Sequence, residues 1–520
     1  MANPPANEPK KTLASGPGLK PHFELYPRII RMAVPVIFAM LTQTLINIMD
    51  TFFVGKLESS VSIPGQAALG YSLPLLWIVG GCLSAVSVGT QAITARRFGN
   101  GDMGAAGGVM TNSLAISAST GFIASIAAFF ACPWMFGLLT NDPAVLAQGI
   151  PYAQIRFLGV FSMVTTMSYK SFFDGVGRTH VHMYAAIVMN LLNLVLNYCL
   201  IFGVWIFPEL KVEGAAWASL ISTYVGLAVM IGWSVLPAYL KKYGYYSLKK
   251  LNKTVIWEIT RLSVPSGLAT VFVMAGVLLF MKIVGLLDAD AVTATMTATG
   301  VYTGEGLAAY DLQQLALVDS PDMIGSSLAT DWTHVMIQNR PSVYTAATKV
   351  IFDVSSLCFI SALAFGTATA TLVSQSLGEG KPDMASRYGW ESVRIYTFLM
   401  TLAGVLVIIW PEAALDLISD DEVVISTGAE GMRIMGGLMP LMAIGIVCTQ
   451  ALFGAGDTKF VMYVEMILHF SCLVPLSFLL SSTLGLGFLG VWLAAAAYIV
   501  LLAIIMGWKF WGGKWKEIQV

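Results

Sequence analysis

The chain has 520 residues, of which 56% are hydrophobic and 11% charged, with a formal net charge of -1. Soluble domains carry about a quarter charged residues, so this composition excludes a chain clothed for water, and the near-neutral balance excludes nucleic acid as a partner held by bulk charge. Apolar runs of roughly 20 residues, enough to cross about 30 Å of hydrocarbon as helix, recur along the whole sequence, which makes the lipid bilayer its solvent.

Residues 1–27 are rich in Pro, Asn, Gly and Lys. They lack a short apolar core followed by a small-residue cleavage site, so they read as a disordered cytoplasmic tail and not as a signal peptide. Twelve apolar spans follow, near 29–53, 66–93, 109–132, 148–169, 181–204, 214–236, 262–286, 344–375, 388–410, 426–452, 460–481 and 488–508. Only helices and closed barrels satisfy the backbone in lipid, and runs this long and uniform do not suit barrel strands. The expected fold is an all-α polytopic membrane protein. Residues 28–236 form an N-terminal six-helix lobe, 237–260 a cytoplasmic linker, 261–510 a C-terminal six-helix lobe and 511–520 a cytoplasmic tail. The six cysteines all fall inside apolar runs without CxxC or metal spacing and read as packing residues.

Lys and Arg concentrate in the N-terminal tail and the even-numbered loops, for example Arg96, Arg97, Arg178, Lys241, Lys249, Lys381 and Arg387. Because cytoplasmic loops retain positive charge, both termini are expected in the cytoplasm of a multi-pass inner (plasma) membrane protein. The stretch 288–340, between spans seven and eight, then lies outside. It carries seven acids (Asp288, Asp290, Glu305, Asp311, Asp319, Asp322, Asp331) against Arg340. A solvated loop is its simplest reading; a cap over an outer mouth that attracts cations, or a docking point for a periplasmic partner, are the functional ones.

The halves repeat. RMAVP ending at Pro35 returns as RLSVP ending at Pro265, and Val54-Gly55 as Val284-Gly285, both displaced by 230. FGNG (98–101) returns as LGEG (377–380) and GVGRT (175–179) as GAGDT (454–458), both displaced by 279, so about 49 extra residues (279 minus 230) enter the second half as the insert. An even number of spans per half makes the halves parallel, related by a pseudo-two-fold axis along the membrane normal with a cavity between them.

An ionisable residue inside a membrane helix is costly and usually faces a cavity. Asp50 stands with Gln43 and Asn47 on one face of the first span, and desolvation there ties proton binding to the exposure of the site. Pairing of Asp50 with Lys56 at the membrane end is the structural alternative. Asn190, Asn193 and Asn197 share a face of the fifth span, and Ser219, Ser222 and Thr223 lie on the sixth. Asp50, Asn197 and Ser219 fall in the outer half of the membrane, so three polar faces could meet at one depth, although asparagines also serve as interhelical glue. Secondary candidates are Lys282 and Asp353, which could pair across spans seven and eight, and Glu465 with His469, one turn apart on the eleventh span. His469 minus 279 is Asn190, so this second pair occupies the counterpart of the helix-five polar face. Phe280 stands at the register of Asp50. The 26 methionines and the many aromatics could line a pocket for flat lipophilic cations, or simply pack.

NIMDTFFVGKL (47–57), the turn around Arg96–Gly101, FFDGVGRT (172–179), NLVLNYCLIFG (193–203) and GAAWAS (214–219) together resemble the multidrug and toxic-compound extrusion family over roughly 28–510 apart from the insert. The resemblance implies a monomeric secondary antiporter for small organic, cationic and lipophilic molecules, not an enzyme and without cofactor. In proton-linked members the positions matching Asp50, Asn193, Asn197 and Ser219 form a polar site whose protonation is tied to substrate release. Asn197 stands where those members often have aspartate, leaving one carboxylate to titrate. Sodium-linked members use second-lobe acids, notably on helix seven, where this chain offers only Lys282; sodium held by Asp50 and amide oxygens remains the alternative. No Walker loop, kinase set or HExxH motif occurs, so ATP is not expected to drive it. A lipid-linked sugar flippase would need a basic cavity that the spans do not supply. A receptor or scaffold acting through 288–340 is the reading from another class.

Overall fold

The structure is a computed structural model that describes residues 21–140, 142–298, 343–419 and 421–519, with only the backbone described at 43–48, 59, 60, 63 and 289–298. Of the disordered tail expected at 1–27, residues 1–20 lie outside the described residues, as do the insert acids from Glu305 onward; residues 23–27 are helical and Leu25 is buried, so that end of the expected tail is ordered.

Among the described residues, twelve helical spans run through the molecule. In the first half they are α1 (Tyr26–Gly55), α2 (Ser59–Leu76, continued through Trp77–Gly81 and Cys82–Ser84 to Val86–Gly99), α3 (Met103–Gly137), α4 (Pro143–Leu158 and Val160–Gly175), α5 (His180–Phe202) and α6 (Lys211–Ser234). The second half has α7 (Lys253–Ala298), α8 (Val343–Gly378), α9 (Pro382–Ile409), α10 (Glu422–Ala455), α11 (Thr458–Ile467, continued to Thr483) and α12 (Gly487–Trp511). Eleven are long and apolar enough to cross a membrane on their own. The twelfth, α4, is two 16-residue pieces set apart at Gly159, and it carries Arg156, Lys170 and Asp174.

The apolar spans of the sequence mark helix centres, and the helices run further at both ends because turn and cap residues continue the hydrogen-bond ladder. Helix α3 starts where the Asp102 carboxylate accepts the Ala105 N–H at 2.7 Å, which satisfies one of the orphan donors of its first turn. Helix α5 stops at Gly203, whose φ of 66° reverses the chain at no steric cost. Two of the expected connecting segments are structured. Helix α7 continues to Ala298, so the first residues of the expected insert at 288 prolong a helix. The expected tail folds back: Trp515 is fully buried, stacks on Phe510 at 4.7 Å, and donates its indole N–H to the Phe510 carbonyl.

Residues 21 and 519 lie at the same end of the bundle, here called basal; the opposite end is distal. The lobes meet through α1 against α8 and α7 against α2, the exchange expected of a pseudo-two-fold pair. The closest approach is reciprocal. A Cβ on Gly99 would stand 2.1 Å from the Gln375 carbonyl oxygen, and one on Gly378 would stand 2.0 Å from the Arg96 carbonyl oxygen. These four residues are two equivalent pairs, since 378 minus 99 and 375 minus 96 are both 279.

Hydrogen bonds then seal the basal end. Gln91 donates to the Thr367 carbonyl and to Thr371 Oγ1, and Ser374 donates to the Ala92 carbonyl. Arg28 gives its guanidinium to Gln375 and Tyr388. Apolar clusters join the lobes at this end as well: Leu25, Ile29 and Met32 pack among α8–α12 residues such as Phe365 and Leu372, and Val255, Ile259 and Leu262 of α7 pack among N-lobe residues. At the distal end each lobe keeps its own cluster, Val54, Tyr152, Ile201 and Val212 in one and Phe280, Ile351, Leu415 and Trp492 in the other. Among the described residues, the lobes are closed basally and separate distally.

Candidate functional site

Helix α1 delivers Asp50 five residues before its distal end, where the side chain is 3% exposed. The Asp50 carboxylate faces donors from two other helices. Its Oδ1 accepts from Asn197 Nδ2 at 2.6 Å and its Oδ2 from Ser219 Oγ at 3.0 Å. Asn193 supports both partners: its Oδ1 accepts from Asn197 Nδ2 at 3.1 Å and its Nδ2 donates to Ser219 Oγ at 3.2 Å. The i, i+4 spacing of Asn193 and Asn197 puts them one above the other on α5. The small residues of GAAWAS let α6 come close enough for Ser219 to reach them, because a Cβ on Gly214 would stand 2.5 Å from the Leu200 carbonyl oxygen of α5.

A fourth element completes the site. Arg156 of α4 stands with Nη1 3.9 Å from Asp50 Oδ2, at the outer limit of an ion pair, with 17% of its side chain exposed. The sequence reading missed it, although a lone arginine inside an apolar span was the available signal. Lys56, the partner weighed from sequence, instead places its ammonium over the Phe52 ring, 5.2 Å from the centroid. The mismatch is geometric: Lys56 lies beyond the end of α1, while Arg156 projects from a helix packed beside Asp50.

Three polar groups near this face have no partner among the described residues. Asn197 Oδ1, both amide atoms of Asn190 and Ser222 Oγ are buried and unpaired; such groups in a native protein call for water or a ligand. Thr223 is turned the other way and donates to the Leu220 carbonyl. The side chains of Gln43 and Asn47 lie outside the described residues.

The secondary candidates divide. Lys282 does not pair with Asp353: Lys282 is exposed, and Asp353 is held at 2.7 Å by Lys349, one turn earlier on its own helix. Glu465 and His469 do meet, with His469 Nδ1 3.5 Å from Glu465 Oε2, both buried. The sequence reading also passed over an i, i+4 pair on α4, Lys170 and Asp174, which forms a buried ion pair of 2.9 Å, with Asp174 inside FFDGVGRT. All six cysteines are unpaired, and among the described residues no three of His, Cys, Asp and Glu gather as a metal site.

Comparisons with known proteins place this helical fold in a family. The MatE family profile matches residues 35–199 and 324–479. The chain belongs to the MatE family. Members of this multidrug and toxic-compound extrusion family are membrane transporters and not enzymes. The chain is 24% identical over 509 residues to a probable multidrug resistance protein NorM of Thermotoga maritima, covering 96% of this chain and 94% of that one. It is 24% identical over 515 residues to the multidrug resistance protein NorM of Burkholderia vietnamiensis, covering 96% of each. Among solved structures, a MATE family transporter in the outward-facing conformation matches with a TM-score of 0.76 at 18% identity, covering 97% of this chain and 98% of that one. That likeness bears out the expected two-lobe helical fold.

Proposed function

We propose that this MatE-family chain is a proton-coupled antiporter that exports small organic, cationic and lipophilic molecules from the cytoplasm. The basal end, where the Lys- and Arg-rich turns lie, is the cytoplasmic side on this reading, and the separated distal ends face outward. The relatives named multidrug resistance proteins support the substrate class.

The observation that carries the choice of ion is that Asp50 is met by donors. Asn197 Nδ2 and Ser219 Oγ donate to its two oxygens and the Arg156 cation stands 3.9 Å away, whereas a sodium ion there would need several oxygens turned toward it. A proton fits this cage through Ser219, because a hydroxyl can donate or accept. With the carboxylate charged, Ser219 donates to Oδ2; with Oδ2 protonated, the new O–H donates to Ser219 Oγ, and no oxygen loses its partner. Protonation also removes the attraction that draws Arg156 of α4 toward α1, so the ion state of one residue bears on the packing of two helices. Alternating exposure of Asp50 would then couple inward proton flow to outward substrate flow.

Dye efflux from vesicles holding the purified chain, with pH and sodium gradients imposed separately, tests the reading. A pH gradient alone should drive efflux. Efflux driven by sodium alone would refute the proton assignment and leave the fold untouched.

A further inference from the structure

The second lobe holds a buried polar cluster on the helices equivalent to those of the first, set toward the opposite end of the bundle. Asp50 is enclosed by α1, α5 and α6. Six helices later, α7, α11 and α12 enclose Glu465. Tyr498 of α12 donates its hydroxyl to Glu465 Oε2 at 3.0 Å. His469, on α11, bonds through Nδ1 to the Glu465 carbonyl oxygen at 2.8 Å and lies 3.5 Å from Glu465 Oε2. A carbonyl oxygen only accepts, so Nδ1 carries the hydrogen and the imidazole keeps its lone pair on Nε2. The Tyr498 ring lies 4.6 Å from the imidazole, centroid to centroid.

The local backbone is built around this cluster. Helix α11 widens into a π-turn at Leu468–Leu473, beginning beside His469; single π-turns inside helices concentrate at functional sites. Helix α7 contributes Gly276, where an added Cβ would stand 2.3 Å from His469 Cδ2, so its backbone lies directly against the imidazole. Among the described residues the titratable groups that meet Glu465 are His469 and Tyr498, with Cys472 acting on Tyr498; no lysine or arginine pairs with it. A packing pair would not need a carboxylate enclosed without a full counter-charge, an arrangement that costs several kcal/mol unless a proton is taken up.

We infer that Glu465, His469 and Tyr498 form a second proton-binding site, in the C-terminal lobe and near the basal end. Its role in transport rests on the proton-coupled reading above. Glu465 lies seven residues into α11 from the basal end and Asp50 five residues from the distal end of α1, which places the two carboxylates about 10 Å and about 8 Å inside opposite ends of the bundle at 1.5 Å rise per residue. Water that reaches Glu465 when the basal end opens gives a proton to the carboxylate, forming one O–H bond. Release returns that proton to water, and Tyr498 goes on donating to Oε2 in both states. His469 Nε2 is the neighbouring acceptor through which the proton can be held or passed.

The test is pH-difference infrared spectroscopy of the purified full-length chain in lipid vesicles, read at the protonated-carboxyl stretch, beside dye efflux under a pH gradient. Glu465→Gln should remove one titrating carboxyl band that Asp50→Asn leaves in place. Tyr498→Phe and His469→Gln should keep that band and move its midpoint, which a structural role alone would not do; they also serve if Glu465→Gln fails to fold. An unchanged carboxyl spectrum in Glu465→Gln, or midpoints unmoved in both other variants, overturns the inference. Wild-type efflux indifferent to pH, with the Glu465 band present, refutes the coupling reading and leaves this site standing.

Discussion

Arg96 and Gln375 occupy the same position in the two repeats, and each reaches across to the turn that follows the other lobe's α4 or α10. Arg96 Nη2 donates to the Ala455 carbonyl at 3.3 Å and Nη1 to the Ile518 carbonyl of the folded-back C-terminal segment at 2.6 Å; Gln375 Nε2 donates to the Gly175 carbonyl at 2.8 Å. The duplicated halves thus lock each other at the basal end by one contact used twice.

Gln375→Ala removes the bond to Gly175 and the acceptor for Arg28 at once. With hydrogen bonds worth about 0.5–1.5 kcal/mol each, the balance between basally closed and basally open forms should move about 5- to 150-fold toward the open form. Spin-label distances across the basal turns should lengthen. An unaltered distance distribution would show that this contact does not hold the closure.

Moving the carboxylate across its own hydrogen bond asks whether one acid suffices. Asp50→Asn should bring pH-driven efflux down to the passive background while leaving the melting temperature close to wild type. Adding Asn197→Asp to that variant restores an acid 2.6 Å from the original one, and pH-driven efflux should return in part. Full activity in Asp50→Asn alone would remove the coupling role.

Ser219→Ala takes away the hydroxyl that changes from donor to acceptor. It should slow efflux about 2- to 10-fold, the equivalent of one hydrogen bond, and narrow the range of pH over which efflux runs. Ser222→Ala, whose hydroxyl does not touch Asp50, should leave that range unaltered. Equal effects from both would place the loss in packing.

Gly214→Ala drives a methyl to 2.5 Å from the Leu200 carbonyl oxygen, so α5 and α6 must part. Overpacking of this kind costs about 1–3 kcal/mol. A lowered melting temperature together with lost efflux is expected, because Ser219 then no longer reaches Asn193. Efflux kept at the wild-type rate would show that the spacing of these helices is not what positions the site.

Much of this was legible in the sequence, for reasons particular to membrane chains. Lipid leaves a helix few alternatives, so apolar run length marked all twelve spans, and the repeated glycines 99 and 378 announced two lobes before any contact was seen. Asp50, Asn193, Asn197 and Ser219 stood out because a polar side chain in hydrocarbon needs a partner, and the structure brings these four together. Arg156 escaped because its helix breaks at Gly159 and helical register alone does not say which neighbouring helix faces Asp50. The expected Lys282–Asp353 pair failed on the same ground: charges on two spans can be matched by eye, but Asp353 already had Lys349 on its own helix. The burial of Trp515 had no periodic signal at all, since a short tail carries no repeat.

The atoms that receive Arg96 and Gln375 are main-chain carbonyls, at Ala455, Ile518 and Gly175. Side chains in the receiving turns can therefore drift through many substitutions without undoing the latch, and selection for it falls on two donor positions alone. On the Gln375 side the donor is a neutral amide as well, so that bond carries no net charge for dissolved salt to screen.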